Sequence, residues 1–174
     1  MDPVSPLLRT LCRYLDGNEL FHAFTGELAL RMLGMGTEVG TVELTVNLTP
    51  EERAKLLNFL EQEGFVMEDR WRGPVPMRHR GGGPGLRLRL AGSSADMAAI
   101  GRRVPVTLDF QTFFIPSTED LILGLIQDDE APMEMTARLY AKWKNYLDME
   151  YLVASARSRG IYDRFIRMKR DAEK

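Results

Sequence analysis

Across residues 41–48 the chain alternates without a break: Val42, Leu44, Val46 and Leu48 are apolar, and Thr41, Glu43, Thr45 and Asn47 between them are polar. Successive side chains of a strand point to opposite faces, so a period of two fits a half-buried strand and no helix. Directly after it, Thr49-Pro50-Glu51-Glu52 supplies an N-cap, a proline at the first helical position and a capping-box glutamate. Leu56, Leu57 and Leu60 then carry an apolar stripe towards Gly64, which predicts a helix over residues 50–63. A strand running at once into a capped helix points to a mixed architecture, with helices packed on a sheet.

The other elements are read around this pair. Leu7, Leu8, Leu11, Cys12 and Leu15 recur at helical spacing before Gly17 and predict an amphipathic helix over residues 5–16. Residues 21–24 fit a short buried strand feeding a helix over 27–33. Residues 65–72 and 86–90 read as strands joined across Gly73-Pro74 and the glycine tract at 81–85, which reads as loop. Ser93 or Ser94 caps a short helix through Ala98. Residues 104–114 read as one further strand, in which Val104, Val106, Leu108 and Phe110 alternate with Pro105, Thr107, Asp109 and Gln111.

Ser117 or Thr118 then caps a helix through Ile126, Pro132 opens a long helical stretch ended at Gly160, and residues 161–174 form a last basic helix. The expected fold class is α+β: a mixed sheet flanked by helices over residues 1–116, followed by a C-terminal helical section over 117–174.

Charge and cysteine usage narrow the function classes. A net charge of -2 gives no whole-molecule reason for non-specific binding to nucleic acid or membrane, so any such role must come from a local patch. The single cysteine, Cys12, leaves no internal disulfide and no cysteine metal cluster, and suits a reducing compartment. Asp2, Pro3 and Pro6 interrupt what a signal peptide would need, and no run approaches the ~20 apolar residues of a membrane span. A cytoplasmic protein without a membrane segment is the expectation. His22 and His79 lack acidic or cysteine neighbours at metal spacing, so no zinc site is expected.

Several positions carry a resemblance when read in order. They are Thr25-Gly26-x-x-Ala29, Gly34 and Gly36, Thr41-x-Glu43-x-Thr45, Gly64-Phe65, Asp109, the run from Ser117 to Leu123, and Lys144-x-x-x-Asp148-x-x-Tyr151-Leu152. Together they resemble the nucleotidyltransferase superfamily, and within it the small bacterial members that include toxin-type and abortive-infection enzymes. The resemblance spans most of residues 25–152 and rests on scattered positions.

It implies metal-dependent transfer of a nucleoside monophosphate from an NTP to RNA, protein or a small molecule. Magnesium takes oxygen ligands, so carboxylates must converge: two at i and i+2 on one strand face and a third on a neighbouring strand. The matching positions here are Glu43, Thr45 and Asp109. Glu43 and Asp109 are thereby implied as catalytic and Mg2+-ligating residues, and Gly26, Thr45, Arg70, Arg87 and Arg89 as substrate-binding ones. Thr45 offers only a neutral oxygen where the family has an acid. Thr25, Gly124 and Asn145 also depart from the pattern, which implies a degraded site.

The bland readings stand beside these. Glu43 and Asp109 also suit the solvated faces of amphipathic strands, and Glu119-Asp120 suits the first turn of a helix as a complement to its dipole. Residues 70–103 hold eight arginines (70, 72, 78, 80, 87, 89, 102 and 103), no lysine and one acid, Asp96. Arginine forks bind phosphate, so this stretch is either a triphosphate or RNA surface or the solvated face of a hairpin. Two functions remain open: nucleotidyl transfer, or a non-catalytic module of the same fold that binds a nucleotide, RNA or a protein.

Overall fold

The computed structural model describes residues 6–36, 38–67, 74–128 and 131–173. It divides into two compact units, the first ending at Ile115 and the second beginning at Pro116. The first contains α1 (Pro6–Gly17), β1 (Phe21–Thr25), α2 (Gly26–Met32), β2 (Thr41–Asn47), α3 (Pro50–Gln62), β3 (Phe65–Met67), β4 (Val75–His79), β5 (Gly85–Leu90), α4 (Ser94–Gly101), β6 (Val104–Leu108) and β7 (Gln111–Ile115). The second holds α5 (Thr118–Gln127), α6 (Met133–Trp143), α7 (Met149–Ser158) and α8 (Tyr162–Ala172). No helix among the described residues is long and apolar enough to cross a membrane.

The alternating stretch forms β2 near the middle of a five-stranded sheet of order β1-β2-β5-β4-β3. β2 runs antiparallel to β1 and parallel to β5. A parallel neighbour needs a crossover, and α3 lies within the connection between the two strands. The α3 start is built as its sequence demands: Thr49 Oγ1 accepts from the Glu52 backbone N–H, and the Glu52 carboxylate accepts from the Thr49 N–H at 2.7 Å.

Val42, Leu44, Val46, Leu86 and Leu88 are buried on one sheet face. Leu8 and Leu11 of α1 line a small space together with Val42, Phe65 and Leu86, while Tyr14 stacks on Phe59 of α3 at 4.0 Å between centroids. Each fully buried leucine or phenylalanine here contributes roughly 1.5–3 kcal/mol by leaving water. Cys12 belongs to this core, and burial pushes its thiol up to about 12, so it is held as the unreactive thiol.

Three elements differ from the sequence expectation. β4 falls in what reads as connection, because Pro76 suppresses the strand signal. It is accommodated where β4 pairs with β5 through Val75, Pro76 and Met77, and with β3 through Met77, Arg78 and His79. The expected strand over 104–114 is a hairpin instead: Leu108 pairs with Gln111, and the two residues between them, Asp109 and Phe110, have φ of 48° and 63°. Such a two-residue turn needs positive φ at both centres, where Asp-Gly would be the recognisable signal; phenylalanine in the glycine position conceals it. The long helix expected after Pro132 divides into α6 and α7, because Asp148 caps a new start by accepting from the Tyr151 N–H at 2.9 Å.

In the second unit the first-turn acids of α5 are inward-facing. Asp120, capped by Ser117, accepts from Tyr151 Oη at 2.7 Å and from Arg159 Nη2 at 3.0 Å, while Glu119 accepts the Asp148 N–H at 2.9 Å. Both acids are buried. These contacts tie the start of α5 to α7.

His22 is buried on β1, with Nδ1 2.8 Å from the Leu20 carbonyl and its ring edge-on to Phe24 and Phe114. Burial lowers its pKa below the ordinary 6.5, outweighing the Leu20 hydrogen bond and the Asp16 charge, and Arg103 lowers it further. Because the folded pKa is depressed, the stabilising difference is complete above about 6.5 and is lost as pH falls towards the folded pKa. The melting temperature should therefore drop more steeply between pH 7 and 5 than that of His22→Asn, whose amide preserves the bond to Leu20. Parallel slopes for the two proteins would refute this assignment.

Candidate functional site

The pleat that buries Val42, Leu44 and Val46 turns Thr41, Glu43 and Thr45 to the opposite face. Register then fixes their neighbours. Glu43 lies between Thr25 on β1 and Arg87 on β5; Thr45 lies between Ala23 and Arg89; Thr41 lies beside Gly85. Arg78 on β4 shares this face, two residues beyond Pro76, the partner of Arg87.

Glu43 is the hub of the arrangement. Its Oε1 accepts from Arg87 Nη1 at 3.2 Å, and its Oε2 lies 3.5 Å from Thr25 Oγ1. Gly26, the first residue of α2, lies directly against this carboxylate: a Cβ built there would come within 2.8 Å of Glu43 Cδ, at a φ of +60°. The backbone angle favours glycine, and a larger residue would displace the Glu43 carboxylate. The Glu43 side chain is 29% exposed and that of Arg87 49%, so the pair opens to solvent at the arginine.

One row along, Arg89 leans on Asp96 at 4.0 Å. Asp96 is committed to the α4 capping box, accepting from the Gly92 and Ser93 backbone N–H groups and from Ser93 Oγ. Partial burial raises its pKa, but the Ser93 and Gly92 hydrogen bonds and the Arg89 charge outweigh that and hold it below the usual carboxylate value. Thr45 is 4% exposed, so its hydroxyl has little access to a ligand in solution.

The expected site residues are thus distributed unequally. Gly26, Glu43, Thr45, Arg87 and Arg89 share one region of the polar face, and Arg70 lies outside the described residues, as do Trp71 and Arg72. Asp109 occupies the β6–β7 turn rather than a strand. The strands beside β2 are β1 and β5, and neither carries it. The arginine-rich stretch also separates: Arg78, Arg87 and Arg89 share the face, whereas Arg103 stacks on Phe21 and Phe114 at 3.8 and 4.6 Å from the ring centroids. Sequence reasoning missed the Glu43–Arg87 pair because a parallel register between residues 44 apart leaves no local signal.

These residues do not fit a magnesium pair. Both Glu43 oxygens face protein donors, the next residue on its strand face is Thr45, and the in-register neighbour on β5 is a guanidinium, which repels a divalent cation. Among the described residues no group of three or more His, Cys, Asp and Glu side chains is placed to hold a metal ion. Glu27, another acid near β2, accepts the Gly40 and Thr41 backbone N–H groups at 2.8 and 3.2 Å and closes the loop into the strand.

No family model matches the chain, and no curated protein matches it in sequence. Solved structures do match in fold. The solution structure of the antibiotic-resistance factor ANT(2'')-Ia superposes with a TM-score of 0.65 at 18% identity, covering 91% of this chain and 94% of that one. The crystal structure of ANT(2'')-Ia in complex with adenylyl-2''-tobramycin gives 0.63 at 16%, covering 87% and 94%. Lincomycin-bound LnuA, a lincosamide antibiotic adenylyltransferase, gives 0.53 at 12%, covering 69% and 84%. With its mixed five-stranded sheet, flanking helices and these neighbours, the chain has the nucleotidyltransferase fold.

Proposed function

We propose that this chain binds a nucleotide on the polar face of β1, β2 and β5 and does not transfer a nucleotidyl group. The observation that carries this reading is the Glu43–Arg87 ion pair. Transfer chemistry of the kind implied by the fold needs a convergent set of carboxylates to hold metal against the triphosphate. Here the carboxylate on β2 meets an arginine across the parallel ladder, and the i+2 position is a buried threonine. Folds persist when their chemistry changes, so the neighbours' reactions are not carried over with the architecture.

The remaining groups suit binding. Arg78, Arg87 and Arg89 offer guanidinium forks, and Thr25 and Thr41 add hydroxyls on the same face. An NTP is the ligand this set fits best among those the sequence leaves open. The decisive measurement pairs calorimetric titration of the four NTPs with a transfer assay using α-labelled NTP and Mg2+. Binding without label transfer is the expected outcome. Label transfer that disappears in Glu43→Ala would overturn the reading in favour of an active enzyme, and absence of NTP binding would overturn it altogether.

A further inference from the structure

We infer that the Arg87 guanidinium occupies the role of a divalent cation in this site, so that the face binds a phosphate chain without metal. This rests on the binding reading above and adds what supplies the positive charge. Arg87 is held in register beside Glu43, its Nη1 bonded to the carboxylate, with 49% of the side chain open to solvent. A guanidinium carries five N–H donors, so one bond to Glu43 fixes its place while others remain for a ligand.

Arg89 follows two residues along on the same face and is 51% exposed. Its acid, Asp96, stands 4.0 Å away with Oδ2 already engaged by Gly92 and Ser93. Arg78 joins them from β4. Among the described residues the three guanidiniums are faced by two paired carboxylates, Glu43 and Asp96, and neighbouring residues on one strand face are spaced about 7 Å apart. A chain of phosphates spans that spacing and can accept bidentate bonds from each fork. Arginine keeps its charge at any working pH and is indifferent to chelators, which separates this arrangement from a metal-bridged one.

The test is calorimetric titration of ATP and of inorganic tripolyphosphate, each in EDTA and in Mg2+, with Mn2+ paramagnetic resonance on the parent protein. Both ligands are expected to bind in EDTA at least as tightly as in Mg2+. Arg87→Gln should weaken binding about tenfold or more, and Arg89→Gln should weaken it in the same direction, both with unchanged circular dichroism. Binding only in Mg2+, ATP binding without tripolyphosphate binding, an unaffected Arg87→Gln, or bound Mn2+ that is lost in Glu43→Gln would each overturn the inference. Metal-dependent binding without transfer would remove this inference alone, whereas label transfer would remove the reading on which it rests.

Discussion

Replacing Asp120 by alanine should destabilise the C-terminal unit by about 3–5 kcal/mol, the cost of removing one partner from a buried ion pair. The carboxylate is fully buried and the Arg159 side chain is 12% exposed, so its loss leaves a largely desolvated guanidinium without this counter-charge. It also removes the acceptor of Tyr151 Oη and of the Ser117 hydroxyl. Asp120→Asn retains an acceptor oxygen but forfeits the charge, and should lie between alanine and the parent. Urea unfolding followed by tryptophan fluorescence in a Trp71→Phe background, which leaves Trp143 of α6 as the reporter, would read the change. An alanine variant whose midpoint matches that of the parent would show that the cluster contributes nothing to stability. In Asp120→Leu combined with Arg159→Met, much of the loss should be recovered, because two matched apolar groups avoid the unpaired charge.

Phe113→Ala should cost a similar amount, about 3–5 kcal/mol, for a different reason: it leaves a cavity in the N-terminal unit. Phe113 is fully buried on β7 and meets Phe24 of β1 edge to face, at 5.5 Å and 72°. This contact helps hold a hairpin that, among the described residues, forms a sheet separate from the main one. Phe110 in the same hairpin is the internal control. It is completely exposed and has positive φ, so Phe110→Gly removes no packing and relieves the backbone. Stability should fall for Phe113→Ala and hold or rise for Phe110→Gly in thermal melts; equal effects would contradict the placement of the turn.

Local signals made much of the fold legible in the sequence. The alternation of Thr41 to Asn47 and the Thr49-Pro50-Glu52 cap each contain their structural instruction within a few residues, and both elements form where those signals lie. Elements whose signals conflict were hidden: Pro76 masks β4, Phe110 masks a turn, and a continuous apolar period across residues 139–152 masks the cap at Asp148. The polar face was legible on β2 and on β5 separately. Their registration was not, because Glu43 and Arg87 meet only once a crossover has been made. Asp109 misled for the same reason, since an acid in an alternating run reads as a strand residue until the chain is seen to reverse beneath it.

The polar cluster around Asp120 also sets an order in time. Its hydroxyl and guanidinium donors lie 31 and 39 residues further along, and the backbone group held by Glu119 lies 29 residues on. A growing polypeptide that has reached the end of α5 therefore carries two acids for which these three downstream donors do not yet exist, with Ser117 as the local cap. Formation of this cluster waits until Arg159 has been synthesised, which makes α7 the element that completes it.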